Sequence, residues 1–199
     1  MTDDAGEQDD MFRSQVDLHD REFALIGSIV AHWGALEHEI FIQTANTYAE
    51  GDTQVSPLPS AMRNNTSFTA VLDLWKRRVV DKADAAVKPI LLKQIDAIDA
   101  LSDYRNALVH GMWHWTPEHP GEIITSRVVK GKYLSVRFPP DALADFAERV
   151  QTIYTRVRYP RGVEDFAAEY AADGGGLRVS RRGFDTLFGD GSPVNGDFG

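Results

Sequence analysis

No cysteine occurs among the 199 residues. Its absence excludes a disulfide framework, a thiol nucleophile and cysteine-ligated zinc or iron–sulfur sites, and it suits a reducing compartment. Also missing is any apolar run approaching the ~18 residues of a membrane span. The opening stretch MTDDAGEQDD has neither the basic flank nor the apolar segment of a secretory signal. The expectation is therefore a soluble, cytoplasmic protein, in which the Asn64-Asn65-Thr66 glycosylation acceptor has no role. A surplus of positive charge is lacking as well: 21 Lys and Arg stand against 30 Asp and Glu, a formal charge of −9. That is the wrong sign for a protein that coats nucleic acid. Phosphate-binding loops, dinucleotide fingerprints and nucleophile elbows are absent too.

The acidity is unevenly placed. Residues 1–12 carry five acids and no base, and residues 173–199 carry four acids against three arginines, which leaves −3 on residues 13–172. A middle section this close to neutrality leaves contact with short RNA open. Both ends are poor in core residues, so 1–12 reads as a disordered acidic tail and 172–199 as a glycine-rich flexible tail, with RGFDTLF (182–188) a candidate docking motif within it. Residues 13–171 form one domain.

Within that domain apolar residues first recur at helical spacing. Phe23, Ile26, Val30, Trp33, Ile40 and Phe41 mark a long amphipathic helix to about Tyr48, with Glu37 near the middle of its apolar stripe and His32 on the solvated side. EGDTQVSPLPS (50–60) has loop composition. A second helix over 65–80 turns Phe68, Val71, Leu72, Trp75 and Val79 inward, and its Lys76-Arg77-Arg78 run near the C-terminal end suits the helix dipole. The third helix starts near Pro89 and runs to His110, where Gly111 stops it. Its stripe uses Leu91, Ile95, Ile98, Leu101, Leu108 and Val109, with Arg105 near the centre and Asp96, Asp99 and Asp103 on the solvated side.

After Gly111 the period changes from 3.6 to 2. Residues 112–116, 122–129 and 132–138 read as strands, the last two joined by a Lys130-Gly131 turn. Trp113 and Trp115 share a strand face and are read as core. A final helix over 139–157 has Asp141 as its N-cap and Leu143, Phe146, Val150, Ile153 and Val157 on one face. The fold class is mainly α: a helical bundle with a small antiparallel three-stranded insertion, about 112–138, between the third and fourth long helices.

Two helices thus each put one charge on a core face, and a charge there is tolerable chiefly when paired. The expectation is a Glu37–Arg105 ion pair between helices. Asn106 and His110, four apart, share a face and can hydrogen-bond, fixing the imidazole tautomer. Arg105 and His110 lie ~140° apart on an ideal helix, and share a face only if the helix ends near His110. His114 and His119 follow closely, but their spacing does not converge on a metal.

The run Arg105-Asn106-Ala107-Leu108-Val109-His110, late in a helix of a helical core, resembles the signature of the HEPN domain superfamily. RNALVHGMW and the upstream AHWGALEHEI (31–40) also resemble poorly characterised bacterial proteins of that kind, over roughly residues 20–158. The resemblance implies a metal-independent endoribonuclease with no cofactor, working as a homodimer on RNA within a toxin–antitoxin or phage-defence system, with an antitoxin or other protein as partner. It implies His110 as acid/base residue, Arg105 as phosphate contact and Asn106 as orienting group, supported by Glu37. The chemistry is sound: imidazole titrates nearest neutrality, arginine stabilises charge on a phosphate, and a 2′-hydroxyl nucleophile restricts the reaction to RNA. The residues equally allow a non-catalytic binding or scaffold protein in which Arg105 and Glu37 form a structural ion pair.

Overall fold

The computed structural model describes residues 18–49, 58–63 and 67–172. The expected acidic tail, most of the 50–60 loop, the 64–66 acceptor and the glycine-rich tail from 173, with its 182–188 motif, lie outside the described residues. The chain divides into two compact units, Met1–Gly162 and Val163–Gly199.

The first unit contains helices α1 (Asp20–Ala49), α2 (Ser60–Arg63), α3 (Phe68–Arg78), a 3-10 turn (Val80–Lys82) and α4 (Lys88–His110). Strands β1 (Met112–Thr116), β2 (His119–Val129) and β3 (Lys132–Phe138) then precede α5 (Ala142–Arg158). The protein is mainly helical, and its antiparallel β1-β2-β3 sheet sits between the third and fourth long helices. The second unit contributes α6 (Val163–Ala172), which buries none of its residues. No described helix is long and apolar enough to cross a membrane.

Helix α1 packs most extensively on α5 and then on α3, while α4 meets α5 and the inner face of the sheet. The shared core holds Ile29, Trp33, Leu36 and Ile40 of α1, Leu72 and Trp75 of α3, Ile98 and Leu108 of α4, and Val150 and Val157 of α5. The buried stripe of α1 is therefore rotated from the expected one: Ile29 and Leu36 are inside, whereas Phe23 and Val30 are about half exposed. Val109 of α4 is exposed as well. Periodicity finds an amphipathic helix, but in α1 apolar residues occur nearly all round, and only its neighbours select the buried face.

A polar clamp runs through this interface. Gln43 of α1 accepts a hydrogen bond from Trp75 Nε1 (2.8 Å) and donates to the Val157 carbonyl of α5 (3.1 Å). Arg78, the last of the basic run, donates to the Thr47 hydroxyl and carbonyl (2.7 and 2.8 Å) and stacks on Tyr48. It thereby satisfies a carbonyl at the C-terminal end of α1 that has no helical partner. His32 is half-buried, with Nδ1 2.8 Å from the Ser28 carbonyl oxygen. Asp96, Asp99 and Asp103 are exposed, as their spacing predicts.

Asp84 shapes the entry to α4. Its Oδ1 accepts from the amides of Val87 (2.9 Å) and Ala86 (3.0 Å), and Arg161 pairs with its other oxygen. The Val87 amide, acting against desolvation and joined by the Ala86 amide and Arg161, holds the carboxyl below its ordinary value. A carboxyl held low when folded adds stability above its ordinary titration range and loses it as pH falls through the lowered value. Urea midpoints measured down the acid limb are expected to fall less steeply for Asp84→Asn than for wild type; equal slopes would remove Asp84 from the acid response.

The β2–β3 turn matches its reading: Lys130 (φ 49°) and Gly131 (φ 75°) are both left-handed, as a two-residue hairpin of matching twist requires. Two other readings hold with a qualification. Asp141 is the N-cap residue of α5 as expected, its carbonyl accepting from the Asp145 amide (2.9 Å), but its side chain makes no capping bond; it is left-handed (φ 67°), and its carboxylate accepts from Arg21 at 2.8 Å. Gly111 ends α4 as expected, in an extended conformation (φ −86°, ψ 154°). A glycine is needed there for space: an added Cβ would lie 2.5 Å from the Ala107 carbonyl oxygen and 2.8 Å from Thr125 Cβ. Gly111→Ala is expected to lower unfolding stability by ~1–3 kcal/mol, the range for overpacking. Unchanged urea stability would mean that the α4–β2 contact yields freely.

Candidate functional site

The last three turns of α4 and the middle of α1 carry the polar groups singled out by sequence. Leu101, Ala107 and Leu108 seat α4 in the core, and Arg105 leaves the edge of that stripe towards α1. There the expected ion pair forms, with Arg105 Nη2 3.3 Å from Glu37 Oε1. The same Glu37 oxygen accepts from Trp33 Nε1 at 2.8 Å, and the guanidinium carbon lies 5.8 Å from the Trp33 ring centre.

The pair is not sealed in the core. The Arg105 side chain keeps 27% and that of Glu37 31% of its surface exposed. At such exposure, water screens the attraction and softens the loss of one partner, so the pair lies nearer the ~1 kcal/mol of surface bridges than the ~3–5 kcal/mol cost of breaking a buried one. Both line a cleft of about 440 Å³ between α1, α3 and α4, together with Gly34, His38, Phe41 and Phe68.

Asn106 is half-buried, and its Oδ1 accepts from Arg105 Nη1 at 3.2 Å. No hydrogen bond joins it to His110, contrary to the expectation from their spacing: the neighbouring guanidinium takes the amide oxygen. His110 is exposed and is absent from the lining of the Arg105 cleft. Because α4 stays helical through His110, the ~140° offset from Arg105 persists. One chain therefore brings together Arg105, Asn106 and Glu37 but leaves His110 apart.

His38 is the residue that sequence reasoning passed over. It stands next to Glu37 in AHWGALEHEI, and its only signal was a histidine beside a carboxylate on a face with little else to bury. Downstream, Trp113 packs on Phe138 (ring centres 6.1 Å apart), but Trp115, at a register shift between β1 and β2, is about half exposed rather than in the core. Among the described residues no group of three or more His, Asp or Glu is placed to hold a metal ion. Compared with known proteins, the chain matches no family model, no curated protein and no solved structure.

Proposed function

We propose that the protein is an HEPN-like, metal-independent endoribonuclease acting in the cytoplasm as a homodimer, in a toxin–antitoxin or phage-defence setting with an antitoxin as partner. The observation that carries this reading is the state of Arg105. A guanidinium has five N–H donors, and Arg105 commits two of them, one from each terminal nitrogen, to Glu37 and Asn106, while remaining partly open to the cleft. Tethered on one side and free on the other, it can accept a phosphate without first being released.

On this reading Arg105 stabilises charge on the phosphate and His110 exchanges the proton of the RNA 2′-hydroxyl. Asn106 orients the arginine rather than the histidine. His110, exposed at the helix end, serves a cleft shared with a second chain, which is why the proposal requires a dimer. The test is cleavage of RNA in excess EDTA by wild type and by variants at Arg105 and His110.

One observation favours the non-catalytic reading. Trp33, Glu37, Arg105 and Asn106 form a continuous polar chain that ties α1 to α4, and a scaffold needs no more of these residues. Folded variants separate the two readings, because a structural role alone predicts no cleavage to lose.

A further inference from the structure

We infer that the cleft between α1, α3 and α4 is a seat for a single phosphodiester and one flanking nucleoside, with His38 and Arg105 of the same chain gripping the phosphate. This rests on the ribonuclease reading only for the identity of the polymer; the seat itself is argued from the cleft.

The first ground is donor placement. Arg105 and the exposed His38 both line the cleft, the former with donors uncommitted, and Ser67 adds a hydroxyl whose oxygen makes no cap bond to α3. N–H donors lining one space suit a phosphate, and a guanidinium recognises two of its oxygens at once. The second ground is charge. Glu37 lies on the same wall, its Oε1 already accepting from Trp33 and Arg105. A fixed carboxylate there disfavours a dianionic terminal phosphate and leaves a monoanionic phosphodiester as the better fit. The third ground is shape. At about 440 Å³ the cleft falls within the range of small-molecule sites, and Phe41 and Phe68 on its walls offer aromatic surface to a base.

Gly34 points the same way. A glycine inside a helix costs roughly 1 kcal/mol against alanine, yet a Cβ at Gly34 would meet no atom within 4 Å, so packing does not require it. Its missing side chain keeps the cleft open between Glu37 and His38 on one wall and Phe68 on the other. Within one chain, then, the histidine that shares a cleft with Arg105 is His38 and not His110.

The test uses the full chain and thymidylyl-thymidine, a deoxydinucleotide that lacks the 2′-hydroxyl and cannot be cleaved by the proposed route. Binding is followed by NMR, with thymidine alone and inorganic phosphate alone as further arms. The dinucleotide is expected to shift signals of His38, Phe68 and Gly34 and to bind more tightly than either part. Gly34→Leu, at a position where an added Cβ meets no atom within 4 Å, is expected to stay folded and abolish binding. His38→Gln is expected to weaken it about tenfold or more, the scale of one charge-assisted hydrogen bond. Absence of dinucleotide shifts at the cleft in wild type, or binding unchanged in both variants, overturns the seat. Binding lost in the variants while wild type cleaves no RNA would retain the seat and sink the ribonuclease. Cleavage by wild type that both variants preserve would do the reverse.

Discussion

Wild-type protein in excess EDTA is expected to cleave single-stranded RNA, and His110→Ala to slow that cleavage by a factor of about 10²–10⁴, the usual contribution of a positioned acid/base group. The His110 side chain is exposed and makes no hydrogen bond to another described residue, so its removal is expected to leave the fold intact and any loss to report on chemistry. Arg105 needs a more careful substitution, because alanine would also abandon Glu37 and Asn106. Arg105→Lys keeps the charge but loses the planar fork, and a fork matched to phosphate is what the proposal requires of this residue. A folded Arg105→Lys with much reduced cleavage, beside a dead His110→Ala, would support the two roles together. Mixing the two single variants tests the dimer as well: chains that share one cleft are expected to restore part of the activity when each supplies what the other lacks. Should wild type leave a varied set of RNAs intact, the ribonuclease reading is lost and the α1–α4 tie remains as the role of the motif.

The second large effect concerns Trp33. Only 2% of it is exposed, Phe68 packs edge-on against its ring at 6.2 Å, and its Nε1 holds the Glu37 oxygen that in turn holds Arg105. Trp33→Ala is expected to lower stability by ~3–5 kcal/mol through cavity formation. Trp33→Phe retains most of the apolar burial and removes the hydrogen bond, at a cost on the order of 1 kcal/mol. The two should also differ in function: the phenylalanine variant stays folded but leaves Glu37 and Arg105 less fixed, so its cleavage falls while its urea midpoint moves little. A Trp33→Ala loss below 1 kcal/mol would mean that the core closes around the gap and that Trp33 does not anchor the site.

The same side chain shows why core and site are hard to separate here. Trp33 is buried in the core and gives its N–H to Glu37, so one residue fills volume between α1 and α3 and aims a carboxylate. Glu37 then offers a single oxygen to two donors from different elements, which fixes Arg105 relative to α1 without burying it. A half-exposed pair is a compromise with physical sense: a sealed pair would withhold the guanidinium from any phosphate, and a solvated one would leave it unpositioned.

Local order in this protein is written in its sequence. The 3.6-residue spacing marks α1, α3, α4 and α5, the change to alternation after Gly111 marks the three strands, and Lys130-Gly131 fixes the hairpin, because each depends on contacts between near neighbours. The Glu37–Arg105 pair was legible because a charge set within an apolar stripe needs a partner, and each stripe held one charge of opposite sign. Helix α2 escaped notice because four residues carry no periodic signal, whereas α6 does space Val163, Phe166, Ala167 and Tyr170 at helical intervals and was passed over.

What the tertiary structure alone decided is which side of each element faces what. It chose Ile29 and Leu36 over Phe23 and Val30 as the inner face of α1, sent Arg78 to the end of α1, and gave the carboxylate of the N-cap residue Asp141 to Arg21. It brought Thr125 so close to Gly111 that no side chain fits there. It placed His38, not His110, in the cleft with Arg105. These outcomes depend on residues tens of positions apart that meet only when helices dock, and the docking angle is set by the whole packed interface rather than by any one stretch of chain.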